Sequence, residues 1–113
     1  MQHSAFDADA LIRRARLYLR AEQYADAVYW LRRYLASPDC VWADERCEAM
    51  LALAQCSLLL HSRAEAERWI LRACAETPHR PEPWREAAAF YEPFSAEAAA
   101  LCRTRADVLC RAD

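Results

Sequence analysis

Three arginines near the N-terminus are spaced so that they could bind an anion together. Arg13, Arg16 and Arg20 follow one another at intervals of three and four residues, which places their side chains on one face of a helix. Guanidinium groups form paired hydrogen bonds with carboxylates and phosphates, so this face could hold either anion. The alternative is that the three side chains form an ordinary solvated helix surface. The spacing is compatible with both interpretations.

Histidine is the other residue type that could do chemistry, and its three positions form no catalytic motif. His3, His61 and His79 lie near a chain end or in predicted loops, whereas general acid–base catalysis needs a positioned pair of groups. The chain contains no glycine, which excludes the glycine-rich loops that bind nucleotide phosphates. We therefore expect no catalytic residue, no cofactor and no enzymatic activity of this chain.

Composition favours a single helical domain over residues 1–113. The 113 residues include 25 alanines and 13 leucines, and 56% of the chain is hydrophobic, far too much for a disordered protein. Alanine, leucine, glutamate and arginine are good helix formers, and the glycine-dependent hairpin turns of β-sheets are missing. The predicted fold class is all-α.

Charge and hydropathy exclude two classes of partner. The net charge is −2, whereas general nucleic-acid binders carry a basic excess. The longest apolar run, residues 50–60, contains Gln55 and is shorter than the span of about 20 residues that crosses a membrane. The N-terminus has no signal-peptide pattern. We expect a cytoplasmic location, with a piece cut from a longer protein as the alternative.

The six cysteines are expected to be free thiols, because the cytoplasm is reducing. They form no CxxC pair and have no histidine at zinc-finger spacing, so we expect no metal site. Cys40 and Cys47 lie near a predicted loop, and for this pair the sequence leaves oxidation to a disulfide open.

Prolines and capping residues divide the chain into six helices. Pro38, Pro78 and Pro93 interrupt helical periodicity because proline disfavours helix in the preceding residue. Asp7 and Ser95 are candidate N-caps, and Ser62 with Glu65 fits a capping box. The predicted helices cover about residues 8–21, 24–36, 43–60, 63–76, 82–92 and 96–111. Short links between them predict antiparallel hairpins.

The predicted hairpins repeat with a period near 34 residues. Met50 and Trp84 are 34 apart, as are Ala54 and Ala88. The first repeat is five residues longer, and we expect these residues in the 38–44 loop. Small residues such as Ala54 and Ala88 let the two helices of a hairpin approach closely. A proline closes the repeat, as in tetratricopeptide repeats. The chain resembles this family over about residues 8–107. The resemblance implies a right-handed superhelix of three hairpins, at about 8–36, 43–77 and 82–111.

A narrower resemblance concerns the helical repeats that follow the catalytic domain in some bacterial family 2 glycosyltransferases. It is carried mainly by the segments 24–27 (YADA), 42–49 (WADERCEA) and 76–84 (ETPHRPEPW). The resemblance implies an accessory region whose nucleotide-sugar domain is not part of this sequence. Asp7 and Asp9 match a metal-binding DxD only in letters, and we interpret them as helix capping and dipole compensation.

In tetratricopeptide repeats the first helix of each hairpin lines the concave groove that binds a partner. By repeat alignment, the expected groove residues are Ile12, Arg13, Arg16, Arg20, Leu51, Gln55, Leu58, Leu59, Arg85 and Ala89. The chain has neither lysine nor asparagine, so it cannot form the clamp with which chaperone-tail-binding repeats hold a terminal carboxylate. Leu58, Leu59 and Leu60 cannot all face one interior, so we expect at least one of them to face the groove or a neighbouring chain. The alternative is burial under the third hairpin.

The expected function is a non-catalytic protein–protein interaction or scaffold module, accessory to a bacterial glycosyltransferase. The alternative is a free-standing adaptor or secretion chaperone that binds a partner peptide or helix in the groove. Three stacked hairpins also leave an apolar end face that needs cover, which leaves a homodimer open.

Overall fold

Six helices form the part of the chain that the computed structural model describes, residues 7–111, and no strand occurs there. Each predicted helix is present, and every observed end lies within one residue of the predicted one, so the all-α prediction is confirmed. The helices are α1 (Ala8–Arg20), α2 (Tyr24–Ala36), α3 (Ala43–Leu59), α4 (Arg63–Glu76), α5 (Pro81–Tyr91) and α6 (Ala96–Arg111).

Two of the three predicted N-caps are confirmed. Asp7 Oδ1 accepts a hydrogen bond from the Ala10 amide at 2.9 Å, and Ser95 Oγ accepts one from the Ala98 amide at 3.2 Å. The predicted capping box at Ser62 is wrong, because its side chain makes no capping bond. Its amide, which a capping box would offer to Glu65, already donates to the Ser57 carbonyl at 2.8 Å. The Glu65 carboxylate instead pairs with Arg68.

The turns of the first two hairpins share one backbone geometry. Glu22 and His61 have φ angles of 58° and 63°, in the left-handed region that glycine usually occupies. The next amide in each turn reaches back to a carbonyl near the end of the preceding helix, Gln23 to Tyr18 at 2.9 Å and Ser62 to Ser57. This bond satisfies a carbonyl that would otherwise lack a partner at the end of the helix.

The helices are arranged in chain order. Within the described residues, α1 pairs with α2, α3 with α4, and α5 with α6, while α2 packs on α3 and α4 on α5. Helix α3 also touches α5, but α1 and α6 are not neighbours. The protein measures 49 × 33 × 19 Å with a radius of gyration of 15.0 Å, against about 13 Å for a compact domain of this size. The arrangement is elongated and does not close into a bundle.

Alanines and a few large side chains build the core. Ala15, Ala27, Ala66 and Ala73 are fully buried where helices meet, and their small side chains allow the backbones to approach closely. The largest fully buried apolar residues, which fill the space between helix pairs, are Leu31, Met50 and Leu53. Helical periodicity in the sequence predicts that these four alanines and Leu31 face inward, and their burial confirms this prediction.

Two similar segments connect the hairpins. The first junction, residues 37–42, begins with a turn in which the Cys40 amide donates to the Ser37 carbonyl at 3.1 Å. The second junction, residues 77–80, has the same turn, with the Arg80 amide donating to the Thr77 carbonyl at 3.1 Å. Helix α3 already begins at Ala43, so the insertion expected in the 38–44 loop lies partly in the first turn of α3.

Candidate functional site

Two depressions lie along the surface formed by α1, α3 and α5. The first, of about 410 Å³, lies between α1 and α3, and its walls are Asp9, Ile12, Arg16, Leu19, Leu31, Tyr34, Glu45, Glu48, Ala49 and Ala52. The second, of about 130 Å³, lies between α3 and α5 and is lined by Leu51, Ala54, Gln55, Leu58, Ile70, Glu86, Ala89 and Phe90. Helix α3 contributes to both, so the first helices of all three hairpins share one surface.

The first depression has an apolar floor and a mainly acidic rim. Leu31 and Ala49 are buried at its base, and Ile12 is half-buried beside them. The rim carries three carboxylates (Asp9, Glu45 and Glu48) and one guanidinium (Arg16). Glu48 is 71% exposed and lies 3.7 Å from the Arg80 guanidinium, so the rim keeps a net negative charge. Such a surface complements a segment that combines apolar and basic side chains.

A hydrogen bond crosses the second depression. Gln55 Nε2 on α3 donates to Glu86 Oε1 on α5 at 3.4 Å. Below it lies Phe90, which is buried and packs edge-to-face on Phe94 with ring centroids 5.0 Å apart. Leu58 remains 40% exposed at the margin. The second depression therefore offers an apolar surface with one amide–carboxylate pair that could exchange bonds with a ligand.

The predicted groove residues do not all lie in these two depressions. Ile12 and Arg16 line the first, and Leu51, Gln55, Leu58 and Ala89 line the second. Arg13 and Arg20 line a separate open depression on the outer side of α1, which Arg16 also borders. Arg85 lies with Ala89 in a shallow hollow against α6. Leu59 is 52% exposed, and its partner-binding role, like that of the others, stays a prediction.

Sequence reasoning missed the polar contacts at the junctions. At the first junction the half-buried Arg46 donates through Nη1 to the Leu35 carbonyl at 3.0 Å and to the Cys40 carbonyl at 3.3 Å. Its Nε donates to Glu76 Oε2 at 3.1 Å. One guanidinium therefore ties together the end of α2, the junction, α3 and the end of α4. The partners lie up to 30 residues away along the chain, so no local pattern indicates them.

The second junction is held by a different arginine. Arg80 lies 3.3 Å from Asp44 Oδ1, 3.7 Å from Glu48 Oε2 and 3.3 Å from Glu82 Oε1. All three carboxylates are more than half exposed. A further bond between hairpins runs from the Tyr91 hydroxyl on α5 to Glu67 Oε2 on α4 at 2.6 Å. Burial raises the Tyr91 pKa, and this hydrogen bond raises it further.

The cysteines are free thiols, and five of the six are buried, including Cys40 and Cys47. Burial raises the pKa of the Cys74 thiol to about 12, from an ordinary value of 9.0. Burial likewise raises the Cys47 pKa, although the Thr77 hydroxyl, which donates to its sulfur at 3.3 Å, opposes the shift. These thiols stay protonated at neutral pH and are therefore poor nucleophiles. Cys110 is exposed.

Histidines do not belong to a metal-binding cluster in the described structure. His61 and His79 are exposed in a hairpin turn and in the second junction, and His3 lies outside the described residues. No cluster of three or more histidine, cysteine or acidic side chains suited to a metal ion occurs within residues 7–111.

Comparison of the chain with protein-family models, curated proteins and solved structures finds no match. Among the helices described above, none combines the length and the apolar character needed to cross a bilayer.

Proposed function

We propose that the chain is a tetratricopeptide-like interaction module that binds a peptide segment of a partner protein across α1, α3 and α5. The observation that carries this proposal is the pair of depressions that share α3 and combine an apolar floor with polar groups at the rim. Recognition of a helix or extended peptide in a helix-lined groove requires this combination. The acidic rim of the first depression favours a segment that alternates basic and apolar residues.

The proposed role is non-catalytic. The resemblance of segments 24–27, 42–49 and 76–84 to repeats in bacterial family 2 glycosyltransferases supports an accessory role beside such a catalytic domain in the cytoplasm. The second candidate is a free-standing adaptor or secretion chaperone. The coding sequence on either side of this segment distinguishes them, because only the first candidate requires an adjoining nucleotide-sugar domain.

Ala89 offers a direct test of the groove. It is exposed in the second depression, so Ala89→Arg would fill that depression without disturbing the core. Ala100→Arg places the same side chain at an exposed position of α6, away from both depressions, and is the matched control. Peptides selected from a random displayed library on the unmodified chain serve as the ligands.

We expect Ala89→Arg to weaken binding of the selected peptides by about tenfold or more, since loss of a well-packed contact costs over 1 kcal/mol. Ala100→Arg should leave affinity within about twofold, the range of a neutral surface substitution. Fluorescence anisotropy measures the affinity, and circular dichroism checks that both variants keep their helix content. Equal affinity for the two variants would exclude the second depression from the binding site and so contradict binding across α1, α3 and α5.

A further inference from the structure

The outer side of α1 carries an unusual concentration of positive charge. Four arginines and one leucine, which we call the arginine face, line an open depression there together with Ala10. All five side chains are exposed, and the leucine, Leu17, is 58% accessible. The members of the arginine face are Arg13, Arg14, Arg16, Leu17 and Arg20. Positions 13, 16, 17 and 20 follow the spacing of a single helix face.

The arginine face forms no ion pair with any described residue. Asp9 is the only carboxylate of α1. Arg14 lies over the Trp30 ring, with its guanidinium carbon 5.1 Å from the centroid. Elsewhere in the described residues, some arginines pair with carboxylates (Arg46, Arg68, Arg80 and Arg103) and others lie over aromatic rings (Arg63, Arg72 and Arg105). The arginine face therefore has charge and donors available for an external anion.

Charge is divided unevenly along the chain. Residues 8–36 contain six arginines and three acidic residues, whereas residues 37–111 contain nine arginines and twelve acidic residues. A long polyanion such as nucleic acid, or an anionic membrane, would meet the acidic remainder of the molecule and be repelled. A short anionic segment would meet the arginine face alone. This distribution favours a peptide over a polyanion.

We propose that the arginine face is a second interaction surface, which binds an acidic segment of a partner protein. Carboxylates of the segment would receive paired hydrogen bonds from the guanidiniums. An apolar side chain between them would cover Leu17, which lies among the arginines. Such a ligand carries acidic residues on either side of an apolar one. Its charge is opposite to that of the basic and apolar segment that suits the first depression. The two surfaces thus select segments of opposite charge, and Arg16 borders both.

The test uses a short fluorescent peptide of repeated Glu-Glu-Leu-Leu units, with the Gln-for-Glu peptide as its uncharged counterpart. Arg20→Glu changes the arginine face, and Arg111→Glu makes the same charge change in the last turn of α6. Leu17→Gln and Leu101→Gln form a second matched pair at exposed helix positions. Oligothymidylate and phosphatidylglycerol vesicles are the competing polyanions. None of these variants lies in the two depressions, so failure here is distinct from failure of the groove.

We expect the acidic peptide to bind the unmodified chain and the uncharged peptide to bind at least tenfold more weakly, about the loss of one or two charged hydrogen bonds. Arg20→Glu should weaken binding about tenfold and Leu17→Gln about threefold, with both α6 controls within twofold. Equal losses in Arg20→Glu and Arg111→Glu would overturn the proposal, since net charge alone would then explain binding. Tighter binding of either polyanion, or no binding of the acidic peptide at low salt, would also overturn it.

Discussion

The two junctions between hairpins share a turn but differ in how arginine secures them. At the first, the guanidinium of Arg46 is half-buried and donates to two backbone carbonyls and one carboxylate. At the second, Arg80 meets three exposed carboxylates and no carbonyl. The carbonyls bound by Arg46 are partly buried, and such carbonyls leave an unmet desolvation cost when they lose their donor. Exposed ion pairs contribute little. Each arginine has three polar partners, but we therefore expect Arg46 to stabilise the first junction more than Arg80 stabilises the second.

The residues three positions before each junction extend this contrast. Tyr34 of α2 precedes the first junction and Cys74 of α4 precedes the second, and both are buried. Burial raises the pKa of each, with a hydrogen bond to Cys40 as a second cause for Tyr34. The folded protein therefore favours the neutral form of both groups. The two groups differ in their ordinary pKa, which is 10.0 for Tyr34 and 9.0 for Cys74.

Alkaline pH should have the largest effect, and it should act on the buried thiols, including Cys74, before it acts on Tyr34. The folded pKa of Cys74 is about 12 and its ordinary value is 9.0. Its contribution to stability is therefore complete below pH 9 and is lost as the pH rises towards 12. Tyr34 behaves in the same way from its ordinary value of 10.0 upward. We expect urea-unfolding midpoints to fall from pH 9, and to fall more steeply above pH 10.

Two variants separate these contributions. Cys74→Ala should flatten the decline between pH 9 and 10, and Tyr34→Phe should flatten it only above pH 10, whatever their stability at neutral pH. Midpoints measured by circular dichroism at several pH values provide the comparison. Curves that stay parallel to that of the unmodified chain would show that neither group titrates with a shifted pKa.

Removing the arginine of the first junction should have the next largest effect. Arg46→Ala leaves the carbonyls of Leu35 and Cys40 and the Glu76 carboxylate without their donor. We expect a loss of about 2 kcal/mol in the free energy of unfolding. Arg46→Lys should recover only part of it, because an ammonium cannot match the planar fork of donors. Urea titration measures both, and a loss in Arg46→Ala no greater than that in Arg80→Ala would remove the distinction between the junctions.

Removing the arginine of the second junction should have the smallest effect. Arg80→Ala deletes contacts to Asp44, Glu48 and Glu82, which are all exposed, so we expect a loss below about 1 kcal/mol. The loss should shrink further at high salt, because exposed charges are screened. Urea titrations at low and high ionic strength test this. A loss that does not depend on salt would indicate that packing of the side chain, rather than its charge, holds the junction.

The sequence predicted helix positions well because the signals for them are local. Prolines, N-caps and helical periodicity act within a few residues, and they placed all six helices. Ser62 shows the limit of this approach. Its spacing from Glu65 suits a capping box, but the hairpin turn had already engaged the Ser62 amide. The four-residue capping-box pattern contains no information about a neighbouring turn that binds the same backbone amide.

The candidate site was less predictable because it depends on how helices are rotated against one another. Spacing correctly indicated that Arg13, Arg16 and Arg20 share one side of α1. It could not indicate that α3 would approach near Arg16 alone and leave Arg13 and Arg20 on the outer side. The acidic rim arises in the same way, because Asp9 and Glu45 are distant in sequence and meet only across the gap between two hairpins.

Helix order has a consequence for how the protein opens. Within residues 7–111, the backbone of α1 packs closely against α2 alone and that of α6 against α5 alone, whereas α3 packs against three other helices. A terminal helix can therefore detach by breaking one interface, while α3 cannot be released without disrupting most of the molecule. Local opening begins at elements with few buried contacts, so amide hydrogen exchange should be fastest at the two outer helices and slowest in α3, the helix that both depressions share.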